Sequence, residues 1–98
     1  MIHVSADKIR TDEMSLVTIL IMNGYMPCMS RDGNSVVWEV SGDECDEDCG
    51  GLVDEFVRGA CRVEPRRYIR EYVMVRKDMY KFLGIADSRT PKSVVTGI

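Results

Sequence analysis

The fold of this chain is decided by residues 63–83, VEPRRYIREYVMVRKDMYKFL. Their apolar spacing predicts one long amphipathic helix, because a helix places every third or fourth residue on the same face. Pro65 suits the first turn, and Glu64 before it favours the extended conformation that an N-cap requires. Gly84 is expected to end the helix. The apolar face contains Tyr68, Ile69, Tyr72, Val75, Met79, Phe82 and Leu83.

A second face of the same helix is basic. Five cationic side chains fall within an arc of roughly 100°. They are named the basic strip: Arg66, Arg67, Arg70, Lys77 and Lys81. Such a strip can follow the phosphates of a nucleic acid or dock on an acidic partner. It can equally be an ordinary solvated helix face, because Glu71 and Asp78 lie at its border.

Arg76 differs from the basic strip because the helical wheel places it on the apolar face, beside Tyr72. A buried guanidinium group is costly unless it is paired. One interpretation is that its stem covers apolar surface while its head reaches water or an acid such as Glu39 or Asp54. The other is an anion pocket of Arg76, Tyr68 and Tyr72, where the guanidinium group binds phosphate and the rings stack on a base.

Residues 12–22 predict a second helix, which Asn23-Gly24 is expected to end. Apolar side chains cover nearly its whole circumference and leave only Ser15 and Thr18 as a polar strip. A helix that is apolar all round is buried on most sides. We therefore expect it either at the centre of the core or in a subunit interface.

Residues 25–31 and 35–40 predict a β-hairpin around Asp32-Gly33-Asn34, because Asp-Gly is a strong signal for a tight turn. Strand geometry sends alternate side chains to opposite faces. The side chains of the second arm that share one face are Val36, Trp38 and Val40.

The hairpin requires further support, because two strands alone are only marginally stable. A third strand is expected from residues 2–4 or from residues 94–95. Pro27 has no N–H group to donate, which places the first arm of the hairpin at a sheet edge or at a bulge.

Opposite charges follow one another along the chain. Residues 43–55 contain seven acids and no base, and residues 58–81 contain eight bases and three acids. The two regions largely cancel in the net charge of −3. Their asymmetry is relevant to association with partners rather than to the fold. A short helix over residues 51–58 is expected between the two regions. A solvated loop before it is predicted to carry the acidic patch: Asp43, Glu44, Asp46, Glu47 and Asp48.

Candidate catalytic and metal-binding groups are sparse. His3 is the only histidine, so no Cys–His or Ser–His pairing is expected. Cys45 and Cys49 are four residues apart, with Cys28 and Cys61 distant, which does not match the usual paired spacing of zinc sites. We predict no metal, no cofactor and no enzymatic activity.

Length and composition predict one α+β domain over residues 1–84, followed by a polar C-terminal tail at residues 85–98. Its expected architecture is a β-hairpin or three-stranded antiparallel sheet, packed by two main helices and one short helix. No apolar run is long enough to cross a bilayer, and residues 1–10 lack the form of a secretory signal. We expect no membrane contact, a cytoplasmic location and reduced cysteines.

Residues 56–68, FVRGACRVEPRRY, follow the predicted strand that contains Val36-Val37-Trp38. This order resembles a small family of uncharacterised domains common in phages and prophages. That family has an aromatic strand, an aromatic residue followed by x-x-Gly, then a valine and a final helix rich in arginine. The resemblance covers residues 11–83, and the acidic segment with its two cysteines departs from the pattern. It implies a viral accessory gene but no particular reaction.

These features favour a non-catalytic phage-type accessory protein that binds a host macromolecule, such as part of a bacterial defence system. The expected partner is a host protein or protein complex, bound through the basic strip or the acidic patch. The alternatives are a nucleic-acid-binding module that uses the basic strip and a nucleotide-sequestering protein that uses Arg76, Tyr68 and Tyr72.

We also expect a homo-oligomer, because the chain offers apolar surface that a second copy could cover. Methionine side chains adapt well to such contacts. The surfaces proposed for this role are the apolar helix and the methionine-rich surface of Met26, Met29 and Met74.

Overall fold

The computed structural model of the protein describes residues 1–84. Within them the chain forms four strands and three α-helices, which confirms the α+β class. The elements are β1 (Ile2–Ser5), β2 (Lys8–Thr11), α1 (Met14–Met22), β3 (Cys28–Asp32), β4 (Ser35–Ser41), α2 (Glu47–Val57) and α3 (Pro65–Leu83). A 3₁₀ turn at Gly42–Glu44 separates β4 from α2. The polar tail predicted at residues 85–98 lies outside the described residues.

The four strands form one antiparallel sheet in the order β1-β2-β4-β3. The sequence predicts a hairpin or three strands, so the strand count is corrected to four. β1 coincides with the strand predicted at residues 2–4. The sequence does not predict β2, because its residues, KIRT, include only one large apolar side chain, that of Ile9. In the structure Ile9 is only 1% exposed and lies in the core between the sheet and the helices. The other candidate strand, at residues 94–95, falls outside the described part of the chain.

The hairpin of β3 and β4 forms as the turn residues predict. Asp32 pairs with Ser35 across a two-residue turn, and Gly33 has a φ of +64°, which only glycine adopts readily. β3 begins directly after Pro27 and lies at the edge of the sheet, as the missing N–H group predicts.

β4 is an inner strand, with β2 on one side and β3 on the other. Val36, Trp38 and Val40 point towards the helices and are buried, which confirms the predicted alternation. Val37 points to the opposite face and is also only 1% exposed, whereas Glu39 on the same face is partly exposed.

α1 occupies the centre of the helical layer, which confirms the prediction of a central core helix. Residues 16–20 are all buried. The sheet covers one side of α1, α2 packs against it over the β2 half of the sheet, and α3 packs against it over the β3 half. The two core clusters that contain α1 consist of Ile9, Leu16, Leu20, Val40, Cys49 and Val53, and of Val17, Val36, Trp38 and Val75.

The starts of α1 and α2 both differ from the prediction. α1 begins at Met14 rather than at residue 12, because Thr11 still belongs to β2 and its Oγ1 accepts the N–H of Glu13 at 3.0 Å. α2 begins at Glu47, about one turn before the predicted residue 51. With 11 residues against 9 in α1, α2 is not the short helix of the prediction.

An N-cap explains the early start of α2. The Asp46 carboxylate accepts the N–H of Cys49 at 2.8 Å, and Glu47 and Asp48 occupy the first turn. Acids in a first turn are favoured by the partial positive charge of the helix N-terminus. Three of the five acids predicted to lie in a loop therefore help to begin a helix.

Both ends of α3 are as predicted. The Glu64 carboxylate accepts the backbone N–H groups of Arg66 at 2.8 Å and Arg67 at 3.1 Å, with Pro65 at the first helical position. Gly84 ends the helix with a φ of +74°. α3 is therefore fixed at both ends by local interactions that do not depend on the sheet.

Val75→Ala tests the docking of α3, because Val75 is only 4% exposed and packs in one cluster with Val17 and Trp38. We expect the free energy of unfolding in urea to fall by about 2 kcal/mol through lost burial and a cavity. The control is Val57→Ala, which removes the same atoms at a site that is 65% exposed, with an expected change within about 0.5 kcal/mol. Equal losses in the two variants would contradict this packing.

Candidate binding surface

The basic strip lies on the outer surface of α3, and all five of its side chains are exposed. The outward position of the basic strip follows from helical periodicity, because the opposite side of α3 carries the buried Val75. From Arg66 to Lys81 the strip spans about 22 Å along the helix axis, at 1.5 Å per residue. The protein therefore presents an extended cationic surface rather than an isolated charge.

The charges of the basic strip are not neutralised within the molecule. In residues 1–84, no side chain of the strip forms an ion pair with an acid. Arg67 makes a different contact, because its Nη2 donates to the carbonyl oxygen of Met22 at 3.0 Å, at the C-terminal end of α1. Arg67 thus contributes to the docking of α3, and the other four cations extend into solvent.

Apolar side chains are interspersed with the basic strip. Ile69 is 61% exposed and Met74 is 54% exposed, while Val73 and Tyr80 are partly exposed. Exposed apolar side chains that occur singly are normal, but several of them beside unpaired cations are typical of a docking surface.

The acidic patch lies on the other flank of the helical layer. Asp46, Glu47 and Asp48 belong to the start of α2, and Asp43 and Glu44 belong to the preceding 3₁₀ turn. The prediction of a solvated loop is corrected accordingly. Since α1 separates α2 from α3, and no described ion pair joins the patch to the basic strip, the two charges occupy distinct surfaces.

Asp46 is the structural centre of the acidic patch. The same Oδ1 atom accepts the N–H of Cys49 and the hydroxyl group of Tyr25, each at 2.8 Å. These two hydrogen bonds, with that of Cys49 the larger cause, lower the pKa of the Asp46 carboxyl group. Burial, together with the contact to Asp46, raises the pKa of Tyr25 to about 12. The Tyr25–Asp46 bond joins the segment after α1 to the start of α2.

An open groove of about 450 Å³ adjoins this contact, between the end of α1 and α2. Three carboxylates give it a negative potential, and no described cation lines it. Its lining residues are Asn23, Tyr25, Glu47, Asp48, Gly51, Leu52 and Glu55.

The two acids predicted as partners of Arg76 are engaged elsewhere. Glu39 lies on the open face of the sheet, 3.9 Å from both Lys8 and Arg10. Asp54 pairs at 2.9 Å with Arg58, one turn later at the C-cap of α2. Arg76 is partly exposed, and its Nε atom is buried with no hydrogen-bond partner in residues 1–84. Of the two alternatives in that interpretation, pairing with Glu39 or Asp54 is therefore wrong, and the partial exposure of Arg76 is consistent with a head group that reaches water.

The predicted anion pocket has a different arrangement from the one that the sequence suggests. The rings of Tyr68 and Tyr72 stack on each other, with their centroids 5.9 Å apart and their planes at 30°. Both residues are partly exposed. A base could stack on this pair only from outside, and Arg76 follows one turn further along the same helix.

Groups suited to covalent chemistry or metal binding are not assembled in residues 1–84. Burial raises the pKa of the Cys45 and Cys61 thiols, which disfavours the reactive thiolate form. No cluster of three or more His, Cys, Asp or Glu side chains within this range could hold a metal ion. The described helices also include none that is long and apolar enough to cross a membrane.

Comparison of the chain with known protein families, with functionally characterised proteins and with solved structures finds no match. Sequence reasoning missed the contacts of Asp46, although Asp46 followed by two acids is a helix-start signal that could have revealed the cap. No sequence signal indicated the contact between Arg67 and Met22.

Asp46→Asn tests the charge of the cap, because asparagine also serves as an N-cap acceptor but carries no charge. The pKa of Asp46 is lowered in the folded state, so its ionised form stabilises the fold above the ordinary pKa near 4, and this contribution is lost as the pH falls through the lowered value. We expect the wild type to have the higher urea midpoint at pH 7, and the difference to shrink as the pH falls below the ordinary pKa of a carboxyl group, near 4. A difference that does not depend on pH would contradict this role. Asp46→Ala should lower the midpoint at every pH.

Arg76→Met tests whether the buried Nε lacks a partner. The methionine variant removes the unsatisfied donor and keeps an apolar stem. Its free energy of unfolding, measured in urea, should therefore be unchanged or higher by about 1 kcal/mol. Arg76→Ala also removes the stem and should destabilise the fold. A loss of more than about 1 kcal/mol in the methionine variant would show that the guanidinium group has a stabilising partner.

Proposed function

We propose that this chain is a non-catalytic accessory protein that binds an acidic host protein through the outer face of α3. The observation that carries the proposal is the basic strip, whose charges meet no acid within residues 1–84 although the chain as a whole is acidic. The resemblance to phage and prophage domains supports a bacterial host, its cytoplasm as the location, and a component of a defence system as the target.

A protein partner is favoured over a nucleic acid by two features of this face. Ile69 and Met74 are exposed among the cations, and such side chains gain more from an apolar protein surface than from phosphates. The net charge of −3 and the acidic patch also oppose the approach of a long polyanion, whose charges extend beyond the basic strip, more than that of a small acidic area on a protein. An acidic protein surface with apolar pockets fits both features.

Nucleic-acid binding by the basic strip is the second candidate function. Its support is the length of the strip, about 22 Å, which spans several phosphates. Arg67 is already bound to the carbonyl oxygen of Met22, so Arg66, Arg70, Lys77 and Lys81 are the residues available for phosphates. A nucleotide held near Arg76, Tyr68 and Tyr72 is a further alternative, supported by the unpartnered Nε atom.

The test is capture of partners from a bacterial lysate by the wild type and two charge-reversal variants. Arg66→Glu/Arg70→Glu/Lys77→Glu reverses the basic strip, and Asp43→Lys/Asp48→Lys reverses part of the acidic patch. All five side chains are exposed, so both variants should fold. We expect the first variant to lose the captured protein, detected by mass spectrometry, and the second to retain it. Loss in the second variant alone would assign binding to the acidic patch and overturn the proposal.

Nuclease treatment and nucleotide analysis separate the alternatives in the same experiment. Capture that survives nuclease supports a protein partner, whereas capture abolished by nuclease supports nucleic-acid binding. In that case the affinity for a DNA probe should fall steeply with salt, and the reversed strip should reduce the slope by about three phosphate contacts. A nucleotide that co-elutes with the wild type and not with Arg76→Met would support sequestration.

A further inference from the structure

β3 presents an unpaired backbone edge among the described strands. Asp32 and Ser35 close the two-residue hairpin, so they form a hydrogen-bonded pair, and such pairs alternate with non-hydrogen-bonded ones along the ladder. Met29 and Arg31 therefore direct their N–H and C=O groups away from β4. An added antiparallel strand would find two donors and two acceptors there.

A groove accompanies this edge. It has a volume of about 240 Å³, lies between β3 and the last turns of α3, and is lined by Met29, Asp78, Lys81 and Phe82. Phe82 is 41% exposed, and Met74, two turns earlier on the same side of α3, is 54% exposed. The edge thus combines unpaired backbone groups with apolar surface.

Two opposite charges beside the edge lack ionic partners. The side chain of Arg31 donates from Nε to the carbonyl oxygen of Gly33 at 3.2 Å, but it forms no ion pair in residues 1–84. Asp78, at the groove, also pairs with no described cation. Arg31 and Met29 lie on the same face of β3, the one that carries the helices, because alternate residues share a face.

We propose that two copies of this chain pair through β3 to form a symmetric dimer with one continuous eight-stranded sheet. Antiparallel pairing centred on Ser30 sets Met29 opposite Arg31 of the second copy, and Arg31 opposite the second Met29. Both pairs use the outward N–H and C=O groups, which gives about four new backbone hydrogen bonds. At the two-fold axis, Ser30 lies opposite Ser30 of the second copy, and the two residues form a non-hydrogen-bonded pair.

The same register brings the two unpaired charges together. Residues opposite each other in an antiparallel pair point to the same side of the sheet. Arg31 of the second copy therefore extends over Met29 into the groove, where it meets Asp78, and symmetry repeats the contact. Lys81, also at the groove, is exposed and has a long stem that lets its ammonium group remain in water.

A second copy fits this edge better than an unrelated strand. A charged side chain on the helix-facing side of an edge strand normally prevents pairing, because the added strand must accommodate it. Here Asp78 compensates Arg31 only in the two-fold arrangement, which makes the surface self-complementary. Both helical layers then lie on the same face of the sheet, so Met74 and Phe82 approach their symmetry equivalents.

Charge exchange tests the dimer by sedimentation equilibrium, with no other protein present. We expect a dimer for the wild type. Arg31→Asp and Asp78→Arg should each weaken it at least about tenfold, because each sets like charges together. The double variant Arg31→Asp/Asp78→Arg should restore the wild-type dissociation constant. A specific contact of this kind should be populated at about 100 µM. A wild type that remains monomeric up to that concentration would overturn the proposal. So would a double variant that dimerises as weakly as the single variants.

A disulfide at the two-fold axis tests the register separately. In a Cys28→Ser background, Ser30→Cys should form a disulfide-linked dimer under mild oxidation, because non-hydrogen-bonded pairs place their Cα atoms about 4.5 Å apart. Ser5→Cys, an exposed position on β1, is the control and should not cross-link efficiently. Equal cross-linking of both variants would refute the register. A Ser30→Cys variant that stays monomeric under the same oxidation would overturn the dimer. Because no host protein is present, these results are independent of the proposed function.

Discussion

Burial of α1 on every side is the constraint on which the rest of the fold depends. A nine-residue helix that is almost wholly apolar cannot face water, so the sheet must cover it below and two further helices must cover its flanks. The central position of α1 in turn keeps α2 and α3 apart. That separation places the acids and the bases of this chain on different surfaces in spite of their mutual attraction.

The acids and bases also differ in what they do for the fold. Asp46 and the two acids after it stabilise the start of α2, so part of the acidic patch serves the helix that carries it. The basic strip has no equivalent role apart from Arg67, which binds the end of α1. Exposed cations that the fold does not use are the stronger indication of a partner, and for this reason the proposed function rests on α3.

The sequence was sufficient wherever local interactions decide the structure. The limits of α3 follow from Glu64, Pro65 and Gly84, and the exposure of the basic strip follows from helical periodicity. β2 was not predictable from its own residues, because they include only one large apolar side chain. That side chain, Ile9, packs against α1 and α2, and a local pattern does not indicate such distant contacts. The ion pairs of Glu39 with Lys8 and Arg10 depend on the strand that lies beside β4, and no local pattern encodes this strand order.

Trp38 gives this architecture an internal optical reporter. It is the only tryptophan in the chain, is 4% exposed, and lies in the cluster that contains Val75 of α3 and Val17 of α1. Its emission wavelength responds to the polarity around the indole ring, so detachment of α3 would shift the fluorescence to the red even while the other half of the core stays intact. A fluorescence spectrum thereby distinguishes partial opening of the helical layer from complete unfolding without any added label.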